Sequence, residues 1–142
     1  MKLLVATDGS KNALRAVKRA IELIEQSTAK ANSLTLISVH DDAGIRHAKA
    51  FVGSSAVSDY LRELSDKELK PAMKVLDAAG VKHDMAIVTG NVSREIVSFA
   101  DKGKYDMIVL GSKGRGAVAD FLLGSVAQRV LAHASQPVLL IK

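Results

Sequence analysis

Glycines cluster after an apolar run in the last third of the chain. Residues 111–116 read GSKGRG, and Gly124 with Ser125 follows where a helical pattern begins. Glycines behind a buried strand let the backbone approach a ligand with its N–H groups exposed. Lys113 and Arg115 add positive charge, and a helix that begins at Ser125 favours an anion at its N-terminus. A plain turn into a helix needs only one glycine, so we interpret this segment as a phosphate site.

Two common phosphate motifs fit this segment only in part. Residues 111–116 have the glycine spacing of the Walker loop, but Ala117 and Val118 stand where Lys and Ser or Thr are required. Residues 114–119 match the dinucleotide pattern with a terminal Ala. That pattern needs a further strand with an acidic residue about 20 positions on, whereas here the chain reaches Lys142. Neither a Walker NTPase nor a Rossmann dehydrogenase is supported.

Two other apolar runs also end in polar residues. The first run is followed by Asp8 and Ser10, and the second by His40, Asp41 and Asp42. In open α/β sheets, ligands lie outside the carboxyl ends of the strands, where the strand order reverses. Asp8 either caps the following helix together with Ser10 or faces the ligand, and we favour the ligand role. The two carboxylates after His40 have no evident partner ligand, so we interpret them as loop residues.

The elements that must position these residues follow from the hydrophobic pattern. The expected strands are Leu3–Ala6, Leu34–Val39, Met85–Val88, Met107–Leu110 and Val138–Ile141. All but the second are nearly unbroken in hydrophobicity, which predicts strands buried on both faces. Four helices are expected, namely one after Ser10, one from about Val57 to Gly80, one from about Val92 to Lys102 and one from Ser125 to Ala134. Residues 41–55 are either a mobile surface loop or a functional lid, and we favour the loop.

This alternation predicts an α/β fold with a doubly wound parallel sheet, in a single domain over residues 1–142. The chain has no cysteine, which excludes disulfides and thiolate sites. No apolar run approaches the ~20 residues of a membrane span. The first residues do not read as a signal peptide, so we expect a cytoplasmic protein. The net charge of +5 is spread over helix surfaces and aromatics are scarce, which disfavours a nucleic-acid partner.

A longer motif carries a specific resemblance. The spacing Gly111-x2-Gly114-x9-Gly124-Ser125 is similar to the G-2x-G-9x-G-(S/T) signature of ATP-binding universal stress proteins. The opening strand ends in TDGS, TGN precedes a helix at residues 89–91, and PVLLI closes the chain at residues 137–141, as in that family. The resemblance extends over the whole chain apart from residues 41–55.

The resemblance implies an adenine nucleotide alpha hydrolase-like fold with strand order 3-2-1-4-5 and a nucleotide site between the first and fourth strands. It implies ATP as the ligand, with Mg²⁺ bound through the phosphates near Asp8. The implied ATP-binding positions are Ala6, Asp8, Val39, Leu110, Gly111, Lys113, Gly114, Gly124, Ser125 and Val126. Of these, Ala6 and Val39 would lie around the adenine. It also implies a homodimer through the last strand, Val138–Ile141.

One position departs from the family pattern. Lys113 stands where these proteins often have His, which keeps the attraction for phosphate and removes a group that titrates near neutral pH.

The leading hypothesis is therefore a dimeric, ATP-dependent regulatory protein of the stress response. A slow ATPase or an enzyme that phosphorylates itself at Ser112 or Ser125 is the first alternative. A dimeric interaction module without nucleotide is the second. Because no His–acid pair accompanies the serines and no base is placed at the phosphate site, we predict no catalytic residue.

Overall fold

The computed structural model describes residues 1–114 and 123–142. Its strands are β1 (Lys2–Ala6), β2 (Ser33–Asp41), β3 (His83–Gly90), β4 (Met107–Gly111) and β5 (Val138–Ile141). They form one sheet in the order β3-β2-β1-β4-β5, and every neighbouring pair is parallel. The predicted fold class and strand order are therefore confirmed.

The helices of the described residues cover both faces of this sheet. They are α1 (Lys11–Gln26), α2 (Asp42–Val52), α3 (Ser54–Ala78), α4 (Val92–Gly103) and α5 (Ser125–His133). Side chains of α1 and α3 pack with Leu3 in one buried cluster, and side chains of α4 and α5 pack with Leu4 in another. Successive residues of a strand point to opposite faces, so these two leucines mark the two halves of the core.

The start of α1 follows from its sequence. Ser10 has extended backbone angles, and its Oγ accepts the N–H of Ala13 at 3.1 Å, as an N-cap residue does. Ala13, Val17 and Ala20 lie one turn apart and are buried against the sheet. The expected helix after Ser10 is therefore confirmed.

The prediction of a loop over residues 41–55 is wrong, since α2 occupies most of that stretch. Asp41 Oδ1 accepts the N–H of Ala43 at 3.0 Å and so caps a helix rich in Ala, Arg and Lys, which favour helix. A single glycine inside a helix lowers the stability of the helix by only ~1 kcal/mol relative to alanine. Gly53, with φ of 83°, ends α2, and α3 begins at Ser54 instead of Val57. The described residues therefore form five helices instead of the predicted four.

The expectation that four strands are buried on both faces is also wrong for the two edge strands. Met85 and Ile87 of β3 are 50% and 51% exposed, and all four residues of β5 are half-buried. An edge strand has a neighbour on one side only, so helices cover it less completely. Across residues 1–114 and 123–142, no helix combines the length and apolar character that a membrane span requires.

Leu76 tests the assignment of the core on the α1 and α3 face. It is fully buried on α3, so Leu76→Ala should lower the free energy of unfolding by about 2–5 kcal/mol in urea titrations followed by circular dichroism. The control is Leu131→Ala on α5, where the side chain is 50% exposed and the loss should stay below about 1 kcal/mol. Equal losses in the two variants would contradict the assignment.

Candidate nucleotide site

The residues that follow β1 are held in a tight turn at the carboxyl edge of the sheet. Asp8 Oδ1 accepts the N–H of Ser10 at 2.9 Å, and the hydroxyl of Thr7 accepts the N–H of Gly9 at 3.2 Å. Gly9 has φ of 77°, a conformation that favours glycine. These bonds fix the backbone around Asp8, whose side chain is half-buried. Its second carboxylate oxygen is directed toward the glycine segment after β4.

The segment after β4 is closed by two backbone hydrogen bonds. The N–H of Ser112 donates to the carbonyl of Ile141 at 2.7 Å, and the N–H of Gly124 donates to the carbonyl of Ser112 at 2.8 Å. The second bond brings the N-terminus of α5 beside the start of the glycine segment. Arg115 and Gly116, which the sequence also indicated, lie outside the described residues.

Three glycines permit the close approach of these two turns. A Cβ atom at Gly114 would lie 3.0 Å from Asp8 Oδ2. A Cβ atom at Gly111 would lie 3.0 Å from the carbonyl carbon of Asn12, in the first turn of α1. At Gly124 the nearest atoms, including the Gly114 nitrogen, would be 3.4 Å away, which is ordinary van der Waals contact. Space for a side chain is therefore most limited at Gly111, where the nearest atoms include the backbone of α1.

The start of α5 has the properties of an anion site. Gly124 occupies the N-cap position without a side-chain hydrogen bond to the first turn, and Ser125, the first helical residue, is exposed. The first N–H groups of a helix lack partners inside the helix and carry partial positive charge. Lys113 is half-buried, and its Cα would lie 3.4 Å from a Cβ atom at Gly124. The arrangement can hold a phosphate with backbone N–H groups and one ammonium group.

The apolar residues of the predicted site lie on one face of the sheet. Leu110 belongs to the buried cluster of α4 and α5, and Ala6, Val39 and Val126 pack against that cluster. The N–H of Thr7 donates to the carbonyl of Ile37 at 2.9 Å, which aligns the ends of β1 and β2. The apolar positions therefore share one face of the sheet, and the glycines follow β4 at its carboxyl edge.

Sequence reasoning missed a pair of buried polar contacts that fix the end of β2. Ser38 Oγ donates to Glu68 Oε2 at 3.0 Å, and His40 Nε2 is 2.8 Å from the hydroxyl of Ser65. All four side chains are buried. A signal was present, because Ser38 and His40 lie two residues apart and so on one face of β2, while Ser65 and Glu68 lie three apart on α3. These contacts hold β2 against α3 next to Val39.

Asn12 was also missed, because its proximity to Gly111 depends on how α1 packs against β4.

Within the described part of the chain, no group of three or more His, Asp or Glu side chains is arranged to hold a metal ion.

A sheet in this order, with a glycine-lined cradle where the helices change face, defines the class of doubly wound α/β proteins that bind ligands at the carboxyl edge. The chain matches the universal stress protein family over residues 1–142, and it belongs to that family.

Several relatives agree with this assignment. The universal stress protein MJ0531 of Methanocaldococcus jannaschii is 34% identical over 141 residues, which cover 99% of this chain and 81% of the relative. The solved structure of MJ0577 from the same organism is 31% identical, has a TM-score of 0.84 and is matched over 99% of this chain and 94% of that one. A universal stress protein solved in complex with cAMP is 31% identical, with a TM-score of 0.63 and coverage of 100% and 96%.

The geometry around Gly111 and Gly114 predicts different tolerance to a methyl group. Gly111→Ala should lower the free energy of unfolding by about 1–3 kcal/mol, because the new atom would press on the backbone of α1. Gly114→Ala should cost less than about 1 kcal/mol, because Gly114 is exposed and only a rotatable carboxylate stands in the way. Urea unfolding of both variants measures the difference. A loss at Gly114 as large as that at Gly111 would contradict this description of the cradle.

Proposed function

We propose that this chain is an ATP-binding regulatory protein that acts as a homodimer. The observation that carries the proposal is the approach of Gly114 to Asp8, so close that a Cβ atom would lie 3.0 Å from Oδ2. The N–H of Gly124 closes the same segment onto Ser112. A carboxylate, a bare backbone and a helix N-terminus thus meet at the point where the helices change face of the sheet. This is the arrangement that binds phosphates in open α/β sheets.

The phosphates bind along the backbone after β4. Gly114 and Gly124 present bare backbone to the phosphates next to Gly111, the last residue of β4. Ser125 offers a hydroxyl and an N–H group at the start of α5. Lys113 adds a positive charge that is half-buried and therefore less screened than a fully exposed one. In water, the triphosphate of ATP carries several negative charges, and these groups bind that charge.

The adenine binds on the apolar face that Ala6, Val39, Leu110 and Val126 share. These side chains are small or branched and carry no polar atoms, which suits the flat, weakly polar surface of a purine. The backbone of Val39 supplies hydrogen bonds to the edge of the base. The polar contacts between β2 and α3 support that position, because they fix the residues on both sides of Val39, namely Ser38 and His40.

Asp8 suits Mg²⁺ held by the phosphates. Mg²⁺ prefers oxygen ligands and keeps several waters, and it is commonly bound by one or two carboxylates together with substrate phosphates. One oxygen of Asp8 accepts the N–H of Ser10, and the other lies beside Gly114. A carboxylate at that place interacts with the ion directly or through its water shell.

The regulatory output of ATP binding is a change at α2. Asp41 is the last residue of β2, and its side chain also caps α2. A movement of the end of β2 therefore also moves the first turn of α2. Relatives support a nucleotide as the ligand, since a universal stress protein 31% identical to this chain was solved in complex with cAMP.

Dimerisation uses the free edge of β5. The carbonyl of Pro137 accepts the N–H of Ile108 in β4 at 3.0 Å, and the carbonyl of Ile141 accepts the N–H of Ser112, the residue after β4, at 2.7 Å. Backbone groups alternate in direction along a strand, so those of Val138 and Leu140 point away from β4. The half-buried side chains of β5 become more covered when a second copy adds its own β5 to this edge.

Lys113→Ala tests the phosphate cradle. Calorimetric titration with Mg-ATP should show about tenfold weaker binding than wild type, because a charge-assisted contact to phosphate is lost. Lys30→Ala, in the connection between α1 and β2 at the opposite edge of the sheet, is the matched control and should bind as wild type. Absence of Mg-ATP binding by the wild type, or equal weakening in the two variants, would overturn the proposed site.

Leu140→Pro tests the dimer. Proline removes the N–H that points to the free edge, so the protein should sediment as a monomer in analytical ultracentrifugation while its helix signal persists. Leu140→Ala keeps the N–H and loses most of the side chain, and it should remain a dimer. A wild-type monomer, or a dimer that survives Leu140→Pro, would count against pairing through β5.

A further inference from the structure

A groove of about 530 Å³ lies between α4 and α5. None of its lining residues belongs to the expected nucleotide site. Its volume falls in the range that small-molecule ligands occupy, about 300–1,000 Å³. The lining residues are Asn91, Ser93, Arg94, Val97, Ser98, Asp101, Lys102, Arg129 and His133.

The charge of the lining is strongly unbalanced. Arg94, Lys102 and Arg129 contribute three cations, and in the described part of the chain none of them has a carboxylate partner within ion-pair distance. Asp101 is the one carboxylate of the lining, and its Oδ1 accepts a hydrogen bond from Gln136 Nε2 at 2.8 Å. Like charges gathered without partners repel one another, and an anion between them relieves that repulsion.

The other groups of the lining indicate the kind of anion. Ser98 offers a hydroxyl, and Val97 forms an apolar wall that packs on the buried cluster beneath. Two guanidinium groups, from Arg94 and Arg129, provide planar forks that match the oxygens of phosphate and carboxylate groups in pairs. The groove thus combines donors for phosphate with a small apolar surface.

We propose that this groove is a second ligand site, which binds a small organic phosphate. A ligand in the groove contacts both α4 and α5. The first residue of α5 is Ser125, which belongs to the predicted nucleotide site and lies one turn before Arg129. The proposal does not depend on ATP binding at the first site, because the two sets of residues do not overlap.

Amide-resolved NMR titration with pyrophosphate at constant ionic strength tests the proposal. Amides of α4 and α5 around Arg94 and Arg129 should shift saturably. The Arg94→Gln/Arg129→Gln double variant should bind pyrophosphate in the groove about tenfold more weakly, because two charge-assisted contacts are lost. Both side chains are exposed, so the variant should keep the wild-type fold. The matched control, Arg62→Gln/Lys70→Gln, removes the same charge from α3 and should change the affinity less than about twofold.

Three results would overturn the proposal. Shifts confined to residues around Asp8 and Gly111 would assign pyrophosphate to the first site alone. Equally weakened pyrophosphate binding in the two double variants would show that the affinity depends on the overall charge of the protein and not on the groove. An acidic peptide that shifts the groove amides where pyrophosphate does not would replace the small ligand with a protein partner. Because these readouts are separate amides, a failure at the groove is distinguishable from a failure at the nucleotide site.

Discussion

The pairing of β1 with β4 is the constraint on which the rest of the structure depends. The chain leaves β1 toward α1 on one face of the sheet and leaves β4 toward α5 on the other. Two adjacent carboxyl ends therefore diverge, and a crevice opens between them. The carboxylate of Asp8 lies on one side of this crevice, and the glycine segment after β4 lies on the other. A Cβ atom at Gly114 would lie 3.0 Å from Asp8 Oδ2, so the two sides of the crevice pack closely at this point.

Much of this arrangement could be predicted from the sequence, since it rests on local patterns and one specific motif. Apolar runs located the strands, the resemblance supplied their order, and the serine cap and the glycine spacing located the start of α1 and the cradle. The α2 helix was not predicted because Gly44, Gly53 and two serines suggest a loop, whereas the structure has a helix that Asp41 caps. The exposure of Met85 and Ile87 depends on which strand lies at the edge, which hydrophobicity alone does not encode. The approach of Asn12 to Gly111 arises only from tertiary packing.

The buried polar contacts of β2 connect the site to the helices that flank it. Ser38 and His40 hold the strand against α3, and Asp41 at its end caps α2. Buried polar contacts that are fully satisfied tend to define one geometry instead of many, because breaking any of them leaves an uncompensated group. The end of β2 thus connects the proposed adenine position to α3 and α2. On the other face, α5 links the cradle at its start to the basic groove one turn later.

The central claim is that the crevice between β1 and β4 holds ATP. It is tested most directly by denaturing freshly purified protein and identifying the nucleotide released, by chromatography and mass. We expect stoichiometric ATP, because the sequence predicts no catalytic residue and therefore slow hydrolysis at most. ADP or AMP in its place would contradict binding without turnover. Protein that releases no nucleotide and shows no thermal shift with Mg-ATP would contradict the claim itself.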